Sequence, residues 1–152
     1  MNEVVRDALR LVRSDMLNSR VQLITELAQA LPKIFADPVQ LRQVLLNLMV
    51  NACDAMSAIA TEERKLIVRS VFTDAGYVQI DVSDRGSGVS PEHLERLFEP
   101  FFTTKTHGLG LGLAVSRTIV SGHNGHLWVT NNPGREGATF HLALPSNHGS
   151  AA

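Results

Sequence analysis

Cysteine is almost absent from the sequence: Cys53 is the only one, beside a single tryptophan and a single tyrosine in 152 residues. One thiol excludes an internal disulfide and any multi-cysteine zinc site. Neither sign of charge is in excess, since 14 Lys and Arg face 15 Asp and Glu for a net charge of -1. Without a cationic surplus to neutralise phosphates, nucleic-acid binding is not expected. Long apolar runs are missing as well. The start, Met1-Asn2-Glu3-Val4-Val5-Arg6-Asp7, has no apolar core of a signal segment, and no stretch approaches the roughly 18 apolar residues of a membrane span. A cytoplasmic domain without membrane contact is the expectation. Two common nucleotide signatures are lacking too: there is no G-x-x-x-x-G-K-[ST], and neither glycine cluster reads G-x-G-x-x-G after a strand.

What is present reads as one globular domain, with 44% hydrophobic and 19% charged residues. Its expected limits are residues 1–145, followed by a small polar tail, 146–152, expected to be frayed or disordered. Val5, Ala8, Leu9 and Val12 share one face of an amphipathic helix over Asn2 to Met16. Ser19 to Ile24 reads as a strand. Asp37-Pro38 marks a helix start, an Asp cap followed by Pro in the first turn, and that helix is expected to run to about Ala58. Leu66 to Phe72 and Tyr77 to Val82 read as strands joined by a Thr73-Asp74-Ala75-Gly76 turn. A short helix follows Ser90-Pro91-Glu92, and another starts within residues 108–113 and reaches about Ser121. His126 to Thr130 and Ala138 to Leu144 are closing strands around a Pro133-Gly134 turn. Helices and strands mix without regular βαβ alternation, which predicts an α/β sandwich on a mixed sheet.

Chemistry concentrates in three places. On the long helix, Leu41, Leu45, Leu48 and Ala52 form a core stripe, while Gln40, Gln43, Asn47, Asn51 and Asp54 recur on a separate polar face. Asn47 and Asn51 lie one turn apart, roughly 6 Å along the axis. Asparagine is a poor helix former for a plain solvated face, and its carbonyl suits Mg²⁺ as a hard oxygen ligand. Next, Asp84-Arg85-Gly86-Ser87-Gly88 directly follows a strand. It reads either as an ordinary turn or as a fixed carboxylate able to accept from an exocyclic amine, with glycines admitting a base. Third, Leu97-Phe98-Glu99-Pro100-Phe101-Phe102-Thr103-Thr104-Lys105 leads into His107-Gly108-Leu109-Gly110-Leu111-Gly112. Phe98 and Phe101 suit a core-capping loop. The Gly-Leu alternation opens a helix, where free N–H groups favour phosphate, and a glycine-rich loop suits a nucleotide lid.

In this order the stretches resemble the catalytic, ATP-binding domain of two-component sensor histidine kinases in the GHKL superfamily. They are similar to its N box (Asn47-Leu-Met-Val-Asn51-Ala-Cys-Asp-Ala-Met56), G1 box (Asp84 to Gly88), F box (Leu97 to Lys105) and G2 box (Gly108 to Gly112), with Gly137-Ala138-Thr139-Phe140 near the end. The resemblance covers roughly Asn2 to Pro145. It implies a two-layer α/β sandwich of the Bergerat type, about five mixed strands packed on three helices. It further implies that Asn51 ligates Mg²⁺, Asp84 accepts the adenine amine, and Gly86 and Gly88 shape the base pocket. Thr139 would reach the adenine side through water. The phosphates would be covered by Thr103, Thr104, Lys105, Gly108, Leu109, Gly110, Leu111 and Gly112, next to Asn47, with ATP and Mg²⁺ as the bound species.

Gyrase-type, chaperone-type and mismatch-repair ATPases of this superfamily carry glutamate where Asn47 stands. An amide lacks the basicity to activate water, so the resemblance implies transfer rather than hydrolysis. Such kinases hold their phospho-acceptor histidine on a dimerising helical hairpin. None of the six histidines, His93, His107, His123, His126, His141 and His148, reads as part of one. The chain is therefore expected to be a monomeric catalytic domain, unable to phosphorylate itself alone, with a histidine-bearing dimerisation domain and a downstream response regulator as partners. A non-catalytic nucleotide-binding module and a hydrolytic ATPase are the alternatives. Cys53 beside the core stripe is expected to be a small buried hydrophobe, and Arg64-Lys65 a solvated strand entry.

Overall fold

A computed structural model describes residues 1–103, 111–134 and 136–147. In chain order they form α1 (Asn2–Asn18), β1 (Gln22–Glu26), α2 (Pro38–Ala55), a 3-10 turn (Thr61–Glu63), β2 (Lys65–Phe72), β3 (Tyr77–Ser83), α3 (Pro91–Leu94), α4 (Gly112–Gly122), β4 (His126–Asn131) and β5 (Ala138–Pro145). The five strands make one sheet in the order β1-β2-β3-β5-β4, with β1 parallel to β2 and every other pair antiparallel. The sheet is therefore mixed, as the lack of regular βαβ alternation predicts.

Strand alternation divides the sheet into two faces. Leu66, Val68, Ile80, Val82, Phe140, Leu142 and Leu144 point to the helical side. There they meet Val5, Ala8 and Val12 of α1, Leu41, Leu45, Leu48, Met49 and Ala52 of α2, and Val120 of α4 in one core. The predicted stripe of α2 is that core's centre. The other face is polar and carries an ordered cluster. Asp81 Oδ1 lies 2.7 Å from His141 Nδ1 and accepts from Gln79 Nε2 at 2.8 Å. Trp128 stacks on His141 with ring centroids 4.9 Å apart. Burial opposes the Asp81 charge, but the bonds from His141 and Gln79, with the charges of His141 and Arg69, hold its carboxyl below the ordinary value.

Element ends differ from expectation for local reasons. β1 starts at Gln22 rather than Ser19 because α1 runs on to Asn18. Arg20 then turns through φ 54, and Val21 N–H donates back to Met16 O. α2 starts as predicted, Asp37 Oδ1 accepting from Val39 N–H at 2.9 Å. It stops at Ala55, not Ala58, where Met56 and Ser57 N–H donate three residues back, to Cys53 O and Asp54 O, and the last turn tightens. The Arg64 guanidinium takes up carbonyls beyond that stop, donating to Ser57 O, Ile59 O and Ser19 O at 2.9, 3.1 and 2.7 Å. Arg64 is thus a clamp between the end of α2 and the end of α1, not a solvated strand entry. Ser146 and Asn147, expected in a frayed tail, are held in place: Ser146 is buried and bridges Ile34, and Asn147 N–H donates to Lys33 O. Residues 148–152 lie outside the described residues.

Candidate functional site

Three positions spaced along the C-terminal half of α2 assemble the site. At the C-terminal end, Ala55 meets the loop after β3: a Cβ on Gly86 would lie 2.5 Å from Ala55 O, so only glycine permits this approach. Two turns earlier, near the middle of α2, Asn47 meets the start of α4. Its Nδ2 donates to Ser116 Oγ at 3.2 Å, and its Oδ1 lies 2.5 Å from where a Gly112 Cβ would stand. Half-buried Asn51 lies between them, one turn from each. Positions 47, 51 and 55 share a face at i+4 spacing, so the Asp84 loop and the start of α4 are separated by about 12 Å along the axis.

Asp84 is 3% exposed. Its Oδ1 accepts from Gly86 N–H at 2.8 Å and from Ala138 N–H at 3.3 Å. Burial pushes the carboxyl above its ordinary value, with those two bonds working in the opposite direction. Both bonds use Oδ1, which leaves Oδ2 to take another donor. A buried carboxylate with one spoken-for oxygen can read an amine. Gly88 turns the loop at φ 76, and Asn131 braces it by accepting from Val89 N–H and donating to Val89 O.

The phosphate end is described only in part. Leu111 is half-buried and caps α4, whose first turn starts at Gly112 within the predicted run. Thr103 is exposed. Thr104, Lys105, Gly108, Leu109 and Gly110 lie outside the described residues. Phe98 behaves as a core cap, 8% exposed and edge-on to Phe140, with the Arg117 guanidinium 4.4 Å above its ring. Phe101 does not: it is 71% exposed at φ 67, because the turn after Pro100 carries it outward.

Thr139 is the expectation the structure corrects. It pairs with Ser83 in the β3–β5 register and faces the polar side of the sheet, opposite Phe140 and Asp84. Its Oγ1 lies 2.6 Å from both Ser83 Oγ and Asn132 Oδ1. Ala138, one residue earlier, is the neighbour of the Asp84 carboxylate. Period-two alternation explains the difference: a motif read as a string places adjacent residues together, while a strand places them on opposite faces. Ser116 and Asn132 are contacts that sequence reasoning missed. Neither carries a local signal, as a serine inside a helix and an asparagine before Pro-Gly look ordinary. Cys53 is buried as expected; burial and the charges of Asp54, Asp15 and Asp84 push its thiol up to about 11.

The donor set fits a nucleotide and a hard cation, with a buried carboxylate at one end, amide oxygens along α2, and helix N–H groups at the other end. Among the described residues no helix is long and apolar enough to cross a membrane.

In sequence and fold the chain is similar to known proteins. Residues 36–148 match the family described as histidine kinase-, DNA gyrase B-, and HSP90-like ATPase. The signal transduction histidine-protein kinase AtoS of Escherichia coli is 40% identical over 147 residues, 97% of this chain but 23% of AtoS. The chain thus spans under a third of the length of the curated relatives it matches. The catalytic domain of histidine kinase ThkA superposes with a TM-score of 0.84 at 31% identity, covering 96% of this chain and 92% of that one. Full-length ShkA, solved in complex with AMPPNP, superposes with a TM-score of 0.80 at 29% identity over 94% of this chain and 29% of its own.

Proposed function

This chain belongs to the histidine kinase-, DNA gyrase B- and HSP90-like ATPase family, and on that membership we propose that it binds ATP with Mg²⁺ and donates the γ-phosphoryl group to a histidine. The acceptor is the imidazole of a dimerisation domain in the parent sensor kinase, which then passes the group to a response regulator. The observation that carries this reading is the axial order along α2: Asp84 loop, Asn51, Asn47, start of α4. Base, cation and phosphates of an extended nucleoside triphosphate need contacts in that sequence.

In this reading Asp84 Oδ2 accepts from the 6-amino group, while Oδ1 stays occupied by Gly86 and Ala138. Asn51 offers an amide oxygen to Mg²⁺, which when bound neutralises phosphate charge. Asn47 holds its amide against α4, and Gly112, Leu111 and Thr103 border the phosphates. Gly88 shapes the base side of the loop. Thr104, Lys105, Gly108, Leu109 and Gly110 complete the phosphate cover. The amide of Asn47 cannot take a proton from water near neutral pH. Its presence supports transfer to an imidazole over hydrolysis.

Calorimetric titration with a non-hydrolysable ATP analogue tests the binding step. One-to-one saturation that Mg²⁺ strengthens and Asn51→Ala weakens is the expected result; no binding at millimolar nucleotide overturns the reading. Labelled ATP mixed with a histidine hairpin from a related kinase tests the transfer step. Label on the hairpin is expected, and steady phosphate release without it would instead favour a hydrolytic ATPase.

A further inference from the structure

We propose that Thr139 and Asn132 are positioning residues for base selectivity: from the polar face of the sheet they hold the Asp84 main chain in the setting at which its side chain, on the opposite face, reads a 6-amino purine. The inference deepens the reading above and rests on Asp84 being the base contact.

The directions of the hydrogen bonds are fixed by proton counting. Thr139 Oγ1 donates its only proton to Asn132 Oδ1 at 2.6 Å. The 2.6 Å contact with Ser83 Oγ therefore has Ser83 as donor. Asn132 Nδ2 spends its two protons on Asp84 O at 2.9 Å and Glu136 O at 3.2 Å. The relay runs one way, from Ser83 through Thr139 and Asn132 to the backbone of Asp84. Turning the Asn132 amide over would set its oxygen against two carbonyl oxygens. The amide thus has one orientation.

The rest of Asp84 is pinned from the strand side. Its N–H donates to Ala138 O at 3.0 Å. Asn132 also grips the far side of the same hairpin, its backbone N–H donating to Gly137 O at 3.0 Å. Gly137 approaches so closely that a Cβ there would stand 2.1 Å from Asp84 O. What the relay adds is a hold on that carbonyl. With Asp84 O fixed, the peptide plane leading to Arg85 cannot rotate, and Gly86 N–H stays within reach of Oδ1 at 2.8 Å. Releasing the carbonyl frees Oδ1 from that bond and lets the carboxylate swing, so the direction of Oδ2 is lost. Base discrimination by one buried hydrogen bond depends on such placement.

The test compares ATP with inosine triphosphate, in which a carbonyl replaces the 6-amino group, both titrated with Mg²⁺ into wild type and variants. Wild type is expected to prefer ATP by about 10- to 100-fold, the range for a hydrogen bond to a charged group. Asn132→Ala and Thr139→Val are expected to cut that ratio about 5-fold or more, through weaker ATP binding with inosine triphosphate unchanged. Thr139→Ser, which keeps the hydroxyl, should restore the ratio. Thr139→Val preserves side-chain shape and carries the test if Asn132→Ala does not fold. Variants that weaken both nucleotides equally, or leave the ratio at its wild-type value, overturn the inference alone. A wild type that binds both equally overturns the base-contact reading and this inference with it.

Discussion

Asp84 stands directly after a strand, as its sequence position predicts, and its burial makes it sensitive to pH. Its carboxyl titrates above the ordinary 3.8 because burial penalises the charge. A folded value raised over the unfolded one favours the folded state on the acid side and withdraws that favour as pH rises through the folded value. Reading an amine needs the ionised form, so nucleotide affinity has the opposite slope. Acidification toward the raised value is expected to weaken ATP binding while inosine triphosphate binding changes little. Calorimetry across that window checks it, and Asp84→Asn should flatten the ATP curve. The setting of Asp84 was legible because Asp and Gly directly after a strand favour a turn, and the carboxylate does bond the Gly86 N–H there. Thr139 was not legible in the same way. Its motif is read along the chain, whereas its neighbours are set by pairing with Ser83 across the sheet.

Among the elements, α2 shows what periodicity conveys and what it omits. The core stripe, the polar face and the Asp37-Pro38 start all follow from spacing and capping, and all are present. The chain after the stop at Ala55 is held by Arg64, which lies beyond the end of the helix and bonds the end of α1, and no window on the helix contains it. Arg64→Ala removes three hydrogen bonds to carbonyls. It is expected to cost about 2 kcal/mol of stability, seen as a lower urea midpoint at unchanged slope. Because Gly86 rests on Ala55, the same variant should loosen the Asp84 loop and weaken nucleotide binding, although Arg64 touches none of it. Start and end of α4 divide likewise. The glycine run announces where the helix begins, but nothing in the run announces that Asn47 would be its neighbour.

Across the whole molecule, helices and sheet share a single core, so unfolding should be one cooperative event. Trp128 is the only tryptophan and stacks on His141 on the polar face of the sheet, the side opposite that core. Its fluorescence and the far-ultraviolet circular dichroism are expected to change at the same denaturant concentration; separated midpoints would mean two independent bodies. The strand order carries one more consequence. β5 follows both β3 and β4 in the chain, yet it lies between them and is the only strand that pairs with β4 among the described residues. During synthesis both flanking strands therefore emerge before the partner that joins them. Until Ala138–Pro145 emerges, β3 presents an unpaired edge, and β4 has no sheet to join. Assembly must wait for β5 to insert, which makes the nascent chain, rather than the finished fold, the form most exposed to edge-to-edge association.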